Sequence, residues 1–292
     1  MVHQPVLLKE IIKYLDPSPG KNFIDCTLGF GGHSLSLLKQ NKPEGKVLGI
    51  ERDKRSLEVL KDKVSDKRLI LVQDNFVNLK KIASENNFYP VSGILFDLGM
   101  SSWQIEQSGR GFSFLREEPL DMRFDSTGLT AEEIINQWPE QELVKILKEY
   151  GQERYARSIV RSIIKSRKVK SIKTTGQLIG IIRQAVPKNY QYGRIHFATR
   201  SFQAFRIAVN DELNSLEKVL PDALEILENG GRLVVISFHS LEDRIVKNFF
   251  RQESKENHLT ILTKKPIRAD EQELGLNPRS RSAKLRAASK IT

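Results

Sequence analysis

The sequence predicts an α/β fold, a parallel sheet with helices on both faces, interrupted by a helical insertion. Three observations carry this. Short apolar runs alternate with amphipathic helical patterns up to Asp97, as a parallel sheet requires. The alternation then stops, and no strand is needed between about residues 108 and 195. It returns with the strongly β-prone run 232–238. The predicted division is therefore 1–107 with 196–292 as the α/β domain, and 108–195 as the inserted helical domain.

The first helix is expected over 5–15, where Leu7, Leu8, Ile11, Ile12 and Leu15 share one side. Asp16-Pro17-Ser18-Pro19-Gly20 breaks it. A strand at 22–26, a helix at 34–39, a strand at 46–50 and a helix at 55–64 follow. The apolar run 69–72 predicts a third strand, 78–85 a helix, and 91–96 a fourth strand ending in Asp97-Leu98-Gly99. Glycine, aromatics and proline make 108–119 an irregular loop. Helical patterns cover 131–136, 140–150, 153–165 and 174–185. The main fold is expected to resume near Thr199 with a helix over 201–213. A further helix runs to Leu227, then a turn at Asn229-Gly230-Gly231, the fifth strand and a helix at 242–251. Runs 259–263 and 283–287 are expected to pair antiparallel at one edge.

The most informative stretch is Asp25-Cys26-Thr27-Leu28-Gly29-Phe30-Gly31-Gly32-His33. A strand, a glycine turn and a helix let the backbone approach a ligand at the carboxyl end of a sheet. Glu51 ends the next apolar run, where a carboxylate can accept both hydroxyl hydrogens of a ribose. The dinucleotide pattern G-x-G-x-x-G/A is only partly met, since Ser34 holds the third place. Asp25 opens the loop and suits an amine-bearing ligand better than a pyrophosphate. The pattern favours S-adenosylmethionine over NAD.

Composition bounds the class. Hydrophobic residues make up 39% and charged residues 28%, which describes a soluble globular chain. The longest apolar runs fall short of the ~20 residues that span a bilayer, so no membrane partner is expected. The charged N-terminus does not fit a secretory leader. Cys26 is the only cysteine, which fits a reducing cytoplasm and excludes a disulfide framework. The five histidines lack metal-ligand spacing, so no metal is expected. The net charge of +11 is concentrated. Residues 154–210 contain 13 Lys and Arg and no Asp or Glu, while the remaining 34 basic and 36 acidic residues nearly cancel. A merely solvated face alternates signs, so this segment points to a polyanion such as nucleic acid. Arg154, Arg157, Arg161 and Lys165 recur at helical spacing and form one stripe, beside a core stripe of Tyr155, Ile159 and Ile163. Arg167, Lys168, Lys170 and Arg200 are further candidate RNA contacts. Arg279, Arg281, Lys284, Arg286 and Lys290 form a second basic group.

Polar groups at strand ends are the chemical candidates: Asp25, Glu51, Asp97 and Ser237-Phe238-His239-Ser240. Phe76 can stack on adenine or fill core, and Asp74 can accept from the adenine amine. His239 can be a general base, a nucleobase contact or a structural histidine, with no reading preferred.

The chain resembles the bacterial MraW/RsmH family of 16S ribosomal RNA cytosine-N4 methyltransferases. The motifs are His3-x-Pro5-Val6-Leu7-Leu8, Gly29-Phe30-Gly31-Gly32-His33 and Asp97-Leu98-Gly99-Met100-Ser101-Ser102-x-Gln104. Arg110-Gly111-Phe112-Ser113-Phe114 and Pro119-Leu120-Asp121-Met122-Arg123 follow. Ala198-Thr199-Arg200-x-Phe202-Gln203-Ala204-x-Arg206-Ile207, Ser237-Phe238-His239-Ser240-Leu241-Glu242-Asp243-Arg244 and Asn277-Pro278-Arg279 complete the set. The resemblance implies a Rossmann-like class I S-adenosylmethionine-dependent methyltransferase with a helical insertion. It implies a cofactor held by Gly31, Gly32, His33, Glu51, Phe76, Asp97 and Gln104. The family usually has Asp where this chain has Glu51. The implied partner is 16S rRNA within the small ribosomal subunit; nothing in the sequence specifies a homodimer. Asp97 and His239 are the catalytic candidates, with Phe112, Phe114 and Phe124 expected to stack on bases. The rival readings are a non-catalytic RNA-binding protein, an NAD oxidoreductase and a DNA amine methyltransferase. The last usually carries Asp/Ser-Pro-Pro-Tyr where this chain has Asp97-Leu98-Gly99-Met100.

Overall fold

The structure, a computed structural model, describes residues 5–291. The chain divides into two compact units, Met1–Gly99 with Leu213–Thr292, and Met100–Glu212. The first begins with α1 (Leu8–Leu15), β1 (Phe23–Asp25), α2 (Gly32–Gln40), β2 (Val47–Glu51) and α3 (Lys54–Lys63). It continues with β3 (Leu69–Gln73), α4 (Leu79–Glu85) and β4 (Val91–Asp97). The helical unit holds α5 (Ser102–Glu106), α6 (Ala131–Gln137), α7 (Glu140–Glu149), α8 (Ala156–Val169), α9 (Thr175–Ala185), α10 (Lys188–Gln191) and α11 (Thr199–Asn210). The first unit resumes with α12 (Glu212–Ile226), β5 (Leu227–Ser237), α13 (Ser240–Lys255), β6 (Leu259–Ile261), α14 (Glu271–Leu276) and β7 (Lys284–Lys290).

Seven strands form one sheet in the order β3-β2-β1-β4-β5-β7-β6. β1 to β5 run parallel, and β7 is antiparallel to both its neighbours. Successive side chains of a strand point to opposite faces, and here both faces are covered. Ile24, Leu48, Ile94, Phe96 and Val235 pack with Leu79, Ile82, Val219, Val246 and Phe250 on one side. Phe23, Val47, Leu95, Val234 and Ile236 pack with Ile11, Leu15, Leu37 and Leu38 on the other. Burial on both faces is why the strands read as apolar runs rather than as alternation.

Three local features differ from the sequence expectation. Leu7 has φ 52°, so α1 starts at Leu8 instead of Pro5. The expected turn at 229–231 lies inside β5. The pairing there jumps from Val91↔Leu227 to Gly93↔Arg232, and residues 228–231 bulge from the ladder with Gly230 at φ 78°. Asp211 has φ 50° and ends α11 at Asn210, so the break between the two expected helices falls at 211 instead of after 213.

The helical unit has its own core, including Ile134, Ile135, Leu143, Leu147, Ile159, Ile163, Leu178 and Ile182. Phe202 and Phe205 of α11 complete it, so α11 belongs to this unit. The division accordingly falls at 99/100 and 212/213, instead of the expected 107/108 and 195/196. Thr130–Glu133 and Thr174–Gln177 capping boxes start α6 and α9. Among the described residues no helix is long and apolar enough to cross a membrane.

Two glycines test this packing. A Cβ at Gly93 would sit 2.8 Å from the Phe23 ring and 3.0 Å from Leu15. Gly93→Ala should lower the unfolding free energy by about 1–3 kcal/mol in urea denaturation. Gly180, inside α9, has nothing within 4 Å of such a Cβ. Gly180→Ala should raise it by about 0.4–1 kcal/mol.

Candidate active site

The carboxyl ends of β1, β2 and β4 carry Asp25, Glu51 and Asp97. Asp25 is 1% exposed. Its Oδ2 accepts from Ser34 Oγ at 2.7 Å and its Oδ1 from the Thr27 amide at 3.2 Å. Burial raises its pKa, opposed by His33 and by these donors. Asp25 therefore braces the loop from within, contrary to the expectation that it faces an amine-bearing ligand. Gly29 and Gly31 take φ 52° and 76°, a conformation that favours glycine. A Cβ on Gly32 would fall 2.5 Å from Pro5, so the segment before α1 lies directly against the loop. The Leu7 amide donates to Glu273 Oε1 at 2.7 Å, which anchors that segment from α14. His3 lies outside the described residues.

Glu51 ties the loop to β2. Its Oε2 accepts from the Gly29 amide and its Oε1 from the Asp53 amide, both at 2.8 Å. Burial pushes the carboxyl up to about 7, against the lowering effect of these amides. Each oxygen keeps lone-pair capacity for a ligand hydroxyl. Thr27 ties the loop to β4, its Oγ1 accepting from the Asp97 amide at 2.6 Å. His33 Nε2 lies 3.3 Å from Asp97 Oδ2. Asp97 Oδ1 and His33 Nδ1 are buried with no partner. An unsatisfied buried polar atom costs ~1–3 kcal/mol, and two at one strand end mark a place that a ligand completes.

Phe76 is half-buried and meets Phe96 edge-on at 5.6 Å and 89°. Asp74 Oδ1 accepts from the Asn75 amide and Asn78 Nδ2, so that oxygen serves the turn first. His239 caps α13: its Nδ1 accepts from the Glu242 amide at 3.4 Å. Its Nε2 lies 3.1 Å from Glu242 Oε1, at an angle that falls short of a hydrogen bond. Glu242 Oε2 accepts from the amides of Phe238 and His239. One ring nitrogen thus meets the Glu242 amide and the other its carboxylate, which makes His239 a structural cap in this arrangement.

Gln104 belongs to the helical unit. Its Oε1 accepts from the Ser101 amide at 2.9 Å in the capping box of α5. The expected base-stacking rings are partnered within that unit. Phe112 stacks on Phe124, and Phe114 stacks on His196. Arg154, Arg157, Arg161, Lys165, Lys168 and Lys170 are exposed. Arg167 instead donates to the carbonyls of Ile135 in α6 and of Trp138 just past it, and Arg200 to that of Gln152. Ile159 and Ile163 are buried as the periodicity requires. In the C-terminal basic group, Lys284 and Arg286 pair with Asp243, and Lys290 donates to carbonyls of Glu225 and Leu227.

Sequence reasoning missed the bracing roles of Thr27, Glu242 and Glu273. Only Glu242 left a signal, three residues after His239, where a capping box places its acid.

The sheet order, the glycine loop and the acid ending β2 define a Rossmann-like α/β protein of the class I methyltransferase type. The chain belongs to the MraW methylase family, whose model matches residues 1–291. The ribosomal RNA small subunit methyltransferase H of Sulfurihydrogenibium azorense is 46% identical, over 99% of each chain. The protein of that name from Halothermothrix orenii is 45% identical, over 99% of this chain and 98% of its own. An rRNA methylase from Streptococcus thermophilus, solved by crystallography, aligns with a TM-score of 0.47 at 12% identity, covering 100% of this chain and 99% of its own.

Ser34→Ala would leave one oxygen of the buried Asp25 without its donor. The expected loss is about 1–3 kcal/mol of unfolding free energy by urea denaturation, with the sheet intact by circular dichroism.

Proposed function

We propose that this protein transfers a methyl group from S-adenosylmethionine to the N4 amine of a cytidine in small-subunit ribosomal RNA, in the cytoplasm. Membership in the MraW family and the name shared by relatives at 41–46% identity support the reaction class and the RNA. The observation that carries the site is the pair of unpartnered buried atoms, Asp97 Oδ1 and His33 Nδ1, beside the glycine loop.

The residues fit the cofactor. The Gly31-Gly32-His33 backbone lets a ligand come close, Glu51 suits ribose hydroxyls, and the Phe76 face suits adenine. Gln104, in the helical unit, uses its side-chain oxygen to cap α5. When bound, S-adenosylmethionine supplies an electrophilic sulfonium methyl. A cytosine amine is a poor nucleophile because its lone pair is delocalised into the ring. An acceptor on that amine favours the pyramidal form and can take up the released proton. Asp97 Oδ1 is the free acceptor suited to this role. His239 acts as a positioning residue through its cap on α13. Holding the amine ~3–3.5 Å from the methyl carbon is the larger part of the task.

The exposed stripe of Arg154, Arg157, Arg161 and Lys165 suits phosphates, which supply affinity and register without reading sequence. Tritiated S-adenosylmethionine, offered with naked 16S RNA and with subunits from a strain lacking the enzyme, tests the reading. N4-methylcytidine on nucleoside analysis supports it. A different methylated nucleoside, or no transfer to either substrate, overturns it.

Two outcomes follow from charge. Glu51 must be ionised to accept two ribose hydroxyls, and its carboxyl titrates near 7. Between pH 8 and pH 6 the ionised fraction falls from about nine-tenths to about one-tenth. The Kd for S-adenosylmethionine should therefore rise by several-fold to about tenfold by calorimetry, and Glu51→Gln should bind weakly with a flat profile. Neutralising Arg157, Arg161 and Lys165 together should weaken RNA binding and reduce the log–log salt slope by about 2.

A further inference from the structure

The loop between α9 and α11 carries a surface that the cofactor site does not use. Tyr192 is 86% exposed, Ile195 49% and Leu115 82%. The rings of Phe114 and His196 stack at 4.5 Å with 5° between their planes, so Leu115 and Ile195 flank one stack. His196 lies 4.3 Å from the Phe197 ring, and Arg183 sits over Phe197 at 5.5 Å. Gln191 donates to the carbonyls of Arg183 and Val186, which ties the Tyr192 loop to the end of α9. Lys188 and Arg194 are exposed on the same loop. Burial, helped by Arg183, holds His196 below its ordinary range.

Single exposed apolar residues need no explanation. Here Tyr192 and Ile195 stand exposed within the segment that holds no acid, and Leu115 is exposed next to the Phe114 ring that stacks on His196. Glu153 accepts from the Tyr190 hydroxyl, Glu117 from Thr174 and Glu118 from the Gly111 amide. An exposed ring, Tyr192, on a loop with the exposed cations Lys188 and Arg194 matches an unpaired nucleic acid strand, whose bases stack while its phosphates meet Arg and Lys. A duplex hides its base faces and cannot use Tyr192 in this way.

We propose that this loop docks an unpaired stretch of the RNA substrate, with Tyr192 stacking on a base and Arg183, Lys188 and Arg194 on flanking phosphates. The proposal rests on the reading that the substrate is RNA. It places a contact beyond the α8 stripe that distinguishes single-stranded from duplex RNA.

Fluorescence anisotropy with a labelled unstructured pyrimidine oligoribonucleotide, and with a duplex of equal length, tests it. Tyr192→Ala should weaken the single strand about tenfold or more and leave the duplex unchanged. Tyr192→Phe should restore binding, and Arg194→Ala should lower the salt slope by about 0.7. Unchanged S-adenosylmethionine affinity and thermal midpoint certify the fold of each variant. Equal single-strand affinity for wild type and Tyr192→Ala overturns the proposal. So does a shift from dimer to monomer in sedimentation without loss of RNA affinity, which would assign the patch to a second copy. A wild-type protein that binds neither RNA fails at the earlier step, the RNA reading itself.

Discussion

The buried carboxylate of Asp25 is the constraint on which the rest of the site depends. It accepts from the Thr27 amide and from Ser34 Oγ, one donor at each end of the glycine loop. Three further bonds extend that brace: Gly29 to Glu51, Asp53 to Glu51, and Asp97 to Thr27. The loop is thereby tied to β1, β2 and β4 at once. A ligand that enters meets a loop already fixed, so little ordering entropy opposes binding. Charges clustered at strand ends are costly unless donors meet them; the Thr27 amide and Ser34 hydroxyl do so for Asp25, and the Gly29 and Asp53 amides for Glu51.

The strands and the glycine loop were legible because their physical demands leave few residue choices. A sheet buried on both faces needs continuous apolar runs, and positive φ at Gly29 and Gly31 favours glycine. The direction of Asp25 was not legible. A carboxylate after a strand reads the same whether it faces a ligand or a serine nine positions on. His239 was ambiguous for a similar reason, since only the fold shows both its nitrogens turned to Glu242. The unit boundary was misplaced because α11 is amphipathic either way, and only its packing through Phe202 and Phe205 assigns it to the helical core.

The acid-free segment shows what a charge count can and cannot carry. Its total charge was plain in the sequence, but the division of labour was not. Arg167 and Arg200 hold backbone carbonyls, and Arg206 pairs with Glu212 through two 2.8 Å bonds. Arg154, Arg157, Arg161 and Lys165 remain exposed. The aromatics divide in the same way: Phe112 and Phe124 stack on one another, whereas Tyr192 stands out from the surface. Residue type indicated a polyanion, and exposure distinguishes the side chains that can meet one from those that hold the unit together.

The central claim is that the braced loop is a site for S-adenosylmethionine and that the protein is an enzyme for that reason. Calorimetric titration of the full chain with S-adenosylmethionine, run beside NAD, tests it most directly. The account predicts one S-adenosylmethionine bound per chain and no heat from NAD. RNA binding with no S-adenosylmethionine binding would contradict it and make the protein a non-catalytic RNA-binding protein.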